Sequence, residues 1–94
     1  MKKLFFVLIC SLLSVAMMAS VTVRGVVIST EDGLPVIGAS ILEKGTSNGT
    51  ITDFDGMYEL TVANDAVLVF SYVGLTSQEL KVTGGVMNVT LKGD

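Results

Sequence analysis

The chain has 94 residues, half of them apolar, with six basic and nine acidic side chains. That length holds one domain, and a net charge of −3 with scattered lysines gives no footprint for a nucleic-acid backbone. Histidine is absent and cysteine occurs once, which removes a disulfide framework and the Ser–His and Cys–His arrangements of nucleophilic catalysis.

The first segment does not belong to the domain. Lys2 and Lys3 form a positive start, Leu4 to Val15 is apolar apart from Ser11 and Ser14, and Ala16 to Ser20 is rich in small residues. This is the plan of a secretory signal peptide over residues 1–19. A membrane anchor is the rival reading, but Leu4 to Ala19 is shorter than the ~20 residues that cross a bilayer core. Cleavage is expected after Ala19, although Ser14-Val15-Ala16 is the better small-x-small match. Cys10 follows Ile9, where a lipid-modified cysteine would follow a small residue, and the apolar run continues past it, so Cys10 goes with the leader. Without Lys2 and Lys3, residues 20–94 carry four basic and nine acidic side chains, a net charge of −5. A domain of this size buries only ~60% of its unfolded surface and is marginal alone, which suits a place beside a larger neighbour.

In Val21 to Ile28, Val21, Val23 and Val27 alternate with Thr22, Arg24 and Val26, predicting a strand with one face inward. Gly25 falls on the apolar phase, where a glycine implies that another backbone or a bulky side chain lies close above it. Ser29 to Leu34 is a turn cluster centred on Asp32-Gly33. Pro35 lacks an N–H and begins, or stands just outside, the next strand, Gly38 to Glu43, with Ala39 and Ile41 inward. Asn48-Gly49 and Asp53-Phe54-Asp55-Gly56 then bracket Thr50-Ile51-Thr52. Asn-Gly predicts a tight turn with positive φ, and Asp-x-Asp-Gly predicts a turn held by side-chain oxygens on backbone N–H groups. A segment so short between two turns is a rung of an antiparallel all-β domain.

Met57 to Val62 alternates, with Tyr58, Leu60 and Val62 in and Glu59 and Thr61 out. Ala63 to Asp65 turns the chain into Ala66 to Tyr72, an apolar run expected to be a central strand covered on both faces. Phe70 and one face of Tyr72 are expected in the core, with the phenol at the sheet margin; an aromatic binding surface on Val69 to Tyr72 is the alternative. Gly74 ends this strand, Gln78 to Val82 gives another, and Gly84-Gly85 turns. Met87 to Leu91 alternates with Val89 and Leu91 inward. Seven short strands with a turn between each give a β-sandwich.

Chemistry-bearing groups are sparse. Asp53 to Gly56 departs from a calcium loop, since its glycine comes fourth and two carboxylates fall short of the about six to eight oxygens calcium takes. Glu31, Asp32, Asp53 and Asp55 lie on separate turns, and their spacing guarantees no acid–base pair. No catalytic, cofactor-binding or metal-binding residue is nominated, and no cofactor or enzymatic activity is expected.

The sequence nevertheless carries a recognisable series: Val23-x-Gly25-x-Val27, a D-G turn, Pro35 to Ile41, Lys44-Gly45-Thr46, Gly49 to Leu60 and Leu68 to Gly74. In this order they resemble the carboxypeptidase-regulatory-like domain, above all the version at the periplasmic N-terminus of SusC/RagA-type TonB-dependent outer-membrane transporters. The resemblance implies an all-β fold, a seven-stranded antiparallel Greek-key sandwich of the transthyretin-like or prealbumin-like (Ig-like) type, preceded by the signal-peptide helix. It implies that Gly49, Asp53, Gly56 and Gly74 hold turns while Tyr58 and Leu60 fill the core, and that Leu75 stands where the family often has an aromatic. It also implies an exported, non-catalytic accessory module at the periplasmic side of the outer membrane. Such a module would act through protein contacts, for instance by strand addition at a sheet edge, with no nucleic acid and no small-molecule substrate of its own. In a bacterial envelope, the glycosylation triplets at Asn48 and Asn88 are chance. The chain stops at Asp94, where the family's TonB box is expected, and 94 residues cannot form a barrel of eight or more strands of ~10 residues each. It is therefore expected to be a fragment of a transporter or a stand-alone secreted copy. Two other readings stay open: a free secreted or surface domain binding carbohydrate or protein, and a regulatory domain attached to a peptidase.

Overall fold

The computed structural model describes residues 19–94. The leader helix expected over residues 1–19 lies, but for Ala19, outside the described residues. Seven strands follow: β1 (Ser20–Ser29), β2 (Ser40–Glu43), β3 (Gly49–Ile51), β4 (Met57–Ala63), β5 (Val67–Ser71), β6 (Gln78–Lys81) and β7 (Val89–Leu91). They form two sheets, ordered β4-β1-β7 and β3-β2-β5-β6, and no helix occurs among the described residues. Four of the six connections change sheet, so the layers are laced together along the whole chain.

The period-2 patterns set the layers. Val23 and Val27 on β1, Tyr58, Leu60 and Val62 on β4, and Val89 and Leu91 on β7 face Ile41 on β2 and Leu68 and Phe70 on β5. Six of these are sealed from solvent: Phe70, Ile41, Leu68, Leu91, Val23 and Val27. Burying each stabilises the fold by about 1.5–3 kcal/mol before entropy is counted. Tyr58 and Phe70 meet edge-to-face across the two sheets, ring centroids 5.6 Å apart.

Three expectations need correction. The sandwich is not wholly antiparallel: β7 runs parallel to β1, pairing Val27 with Val89 and Ser29 with Leu91. An alternating pattern is blind to strand direction, because side chains point in and out alike in either ladder. The Asn48-Gly49 turn with positive φ is absent. The bend lies at Lys44-Gly45, Gly45 has φ 81°, and Gly49 already belongs to β3. Gly49 is required there for closeness, since a Cβ would stand 2.9 Å from the Ile41 carbonyl oxygen. Finally, β5 is central, between β2 and β6, but covered on one face only. Leu68 and Phe70 are buried, while Val67, Val69 and Ser71 are half-buried. The unbroken apolar run reflects the fit of β-branched residues to a pleated surface as much as burial.

The reading of Gly25 holds. A Cβ on it would come within 2.0 Å of the Met87 carbonyl oxygen, because the strand leading into β7 crosses directly over it. Arg24 N–H donates to Gly85 O, Met87 N–H donates to Arg24 O, and Val26 N–H donates to Asn88 Oδ1, each at 2.9–3.0 Å. Opposite Gly25 on β4 stands Tyr58, whose hydroxyl donates to the same Met87 carbonyl at 2.7 Å.

Candidate functional site

The polar residues that invite a chemical reading are occupied by the backbone. Asp53 Oδ1 accepts the N–H groups of Asp55 and Met57, both at 2.9 Å, and Gly56 follows with φ 74°, so this is the side-chain-held turn the sequence predicts. Asp32 Oδ1 accepts Leu34 N–H, and Glu31 Oε1 accepts Gly93 N–H. Asn48 Nδ2 donates to Glu43 Oε1 and to Thr61 O. Among the described residues no three His, Cys, Asp or Glu side chains come together in a way that could hold a metal ion. Glu31 and Asp32 thus lie in the β1–β2 loop and Asp53 and Asp55 in the β3–β4 loop, with Asp32 and Asp53 holding their own turns and Glu31 reaching residue 93. Burial pushes the Tyr58 phenol up to about 12. Its partner is a main-chain carbonyl, and its role is architectural.

What the molecule presents instead is an asymmetric surface. β1, β3, β5 and β7 end at one pole, where β2, β4 and β6 begin; this exit pole gathers the β1–β2, β3–β4 and β5–β6 loops and residues 92–94. Of nine large apolar residues exposed among the described residues, Leu34, Ile37, Phe54, Tyr72 and Val73 lie in these loops, against Val86 alone in the loops of the opposite pole. Leu34, Pro35, Ile37, Tyr72, Val73 and Leu75 line a shallow cleft of about 340 Å³, with Glu31 and Asp32 at its side. Phe70 is in the core as expected, but Tyr72 is 40% exposed and belongs to this rim. The phase that points Tyr72 inward carries it past the last residue of β5, beyond the cover of the facing sheet.

The loops of this pole are bonded to one another and to the strand ends. Thr52, buried although polar, accepts Ala39 N–H on its hydroxyl oxygen and donates to Val36 O, stitching the β1–β2 loop to the end of β3. Val27 N–H donates to Gly56 O, and Leu75 and Gly93 form an antiparallel bridge, with Thr76 N–H donating to Lys92 O. The sequence reading passed over Thr52, Leu34, Ile37 and Val73. Apolar residues inside turn clusters were the available signal, since a turn rarely buries them.

A family model described as the CarboxypepD_reg-like domain matches residues 23–92. The chain belongs to the CarboxypepD_reg-like domain family. It is 49% identical over 74 residues, 79% of the chain, to the TonB-dependent receptor SusC of Bacteroides thetaiotaomicron. Two receptors of Formosa agariphila are also similar: TonB-dependent receptor P39, 47% identical over 68% of the chain, and TonB-dependent receptor P3, 44% identical over 73%. This CarboxypepD_reg-like chain spans only 6–7% of the length of these relatives. Within the family pattern, Gly56 and Gly74 hold positive-φ turns and Tyr58 and Leu60 are core, as the resemblance implied, whereas Gly49 is a strand residue.

Proposed function

We propose that this chain is a non-catalytic accessory domain of a TonB-dependent outer-membrane transporter, exported by its leader, held on the periplasmic side and acting through protein contacts. The observation that carries this reading is the 49% identity to the receptor SusC over 79% of the chain. The chemistry of the domain is in keeping with it: carboxylates committed to turns, and exposed apolar side chains gathered at one pole.

The test begins with the reading frame downstream of the Asp94 codon. An in-frame continuation into a plug and barrel supports the proposal; a stop codon overturns it in favour of a free secreted binding domain. In the continuing protein, deletion of residues 20–94 with the leader retained is expected to leave the barrel in the outer membrane and to lower uptake of its substrate. Uptake at the undeleted level would reject an accessory role.

A further inference from the structure

We propose that the exit-pole cleft is a docking surface for a protein partner whose contact region is apolar and flanked by lysine or arginine. The proposal deepens the protein-contact reading above and rests on it. Leu34 is 59% exposed and Val73 86% exposed, and both line one continuous surface with Ile37 and Tyr72. A contiguous apolar patch of this kind on a small domain marks an interaction site. On the β1–β2 side its backbone is held by the Asp32, Glu31 and Thr52 hydrogen bonds, which lowers the ordering entropy that binding there costs.

Charge selects the occupant. Glu31, Asp32, Asp53, Asp55 and Asp94 surround the pole, with Lys92 as the one basic residue among them. A second copy of the domain would bring the same acidic rim against this one, and an anionic lipid surface would be repelled in the same way. A partner with basic residues around an apolar contact is attracted and oriented by it.

The test places a photo-crosslinking p-benzoylphenylalanine at position 72 of the full-length protein in its native host, with position 64, at the opposite pole, as control. The expected result is a light-dependent adduct at position 72 only, to a different polypeptide, through an apolar stretch with adjacent lysine or arginine. The Glu31→Gln, Asp32→Asn pair keeps both hydrogen-bond acceptors and removes two charges. It is expected to lower adduct yield about three- to tenfold, the scale of two exposed charge pairs. Absence of an adduct overturns the proposal, as does an adduct to lipid, to a second copy or to the protein's own chain, or a yield indifferent to the charge pair. The expected adduct formed in a protein without a barrel keeps the docking surface and rejects the transporter assignment.

Discussion

Tyr58 ties three parts of the molecule together. It stands opposite Gly25 on the neighbouring strand, its ring meets Phe70 edge-to-face in the facing sheet, and its hydroxyl holds the Met87 carbonyl just before the last strand. Replacing it with phenylalanine leaves the packing and orphans a buried acceptor, at a cost of about 1–2 kcal/mol, measurable by urea unfolding at neutral pH. The same substitution changes the alkaline limb. The folded phenol titrates at about 12 and the unfolded one at 10.0. The proton is therefore held more tightly in the folded state, and the stability it contributes is complete below pH 10 and lost as pH rises towards 12. The loss amounts to about 3 kcal/mol at most. Urea midpoints recorded from pH 9 to 12 are expected to fall in the parent and to fall less in Tyr58→Phe; parallel curves would reject the assignment. Gly25→Ala drives a methyl into the Met87 carbonyl and is expected to cost about 2–3 kcal/mol. Gly84→Ala, which meets no atom within 4 Å, is the control and is expected to change stability by less than about 0.5 kcal/mol. The need for a close neighbour over Gly25 was legible from its place on an apolar phase. The identity of that neighbour was not, because nothing local couples residue 25 to residue 87.

Among the elements, β4 shows how the domain guards an open edge. Its groups facing away from β1 are met at both ends of the strand, at Met57 by Asp53 and at Thr61 by Asn48. Glu59, in the same phase, is left between them and pairs across the ladder with Arg24, Nη2 to Oε1 at 2.7 Å. Two side-chain caps thus shorten the stretch of edge that another strand could extend, a common protection against unwanted pairing. Asn48→Ala removes the cap on Thr61 and is expected to promote concentration-dependent association, read by sedimentation velocity. A variant as monomeric as the parent would show that the cap serves only the β2–β3 hairpin. Asp53→Ala is expected to cost about 1–2 kcal/mol through the two lost backbone bonds, and Asp53→Asn much less, since the amide oxygen still accepts. The turn at Asp53 was legible because its four residues contain both the acceptor and the glycine. The bend at Gly45 was not, since Asn48-Gly49 carries the stronger local signal and yields to the close approach of the Ile41 carbonyl.

At the scale of the whole molecule, the strand count and most inward residues could be read from alternation, apolar runs and the turns that bound them, while the apolar pole could not. The loop positions of Leu34, Ile37 and Val73 hint at exposure one residue at a time; that they gather at one end depends on the topology and on whether another element caps the sandwich there, and among residues 19–94 none does. The β1–β7 pairing was equally hidden, and it bears on how the domain answers tension. The first and last strands lie side by side and point the same way, so the chain enters at one pole and leaves at the other. A pull applied through residues 20 and 94 slides these two strands past each other and strains the bonds at Arg24, Met87, Val26 and Thr30 together. A pull through residues 20 and 63 instead opens the β1–β4 ladder one pair at a time, beginning where Ser20 meets Ala63. Optical-tweezer unfolding is expected to need a higher force in the first direction than in the second. Within a longer polypeptide, tension along the chain would thus load the domain in its more resistant direction.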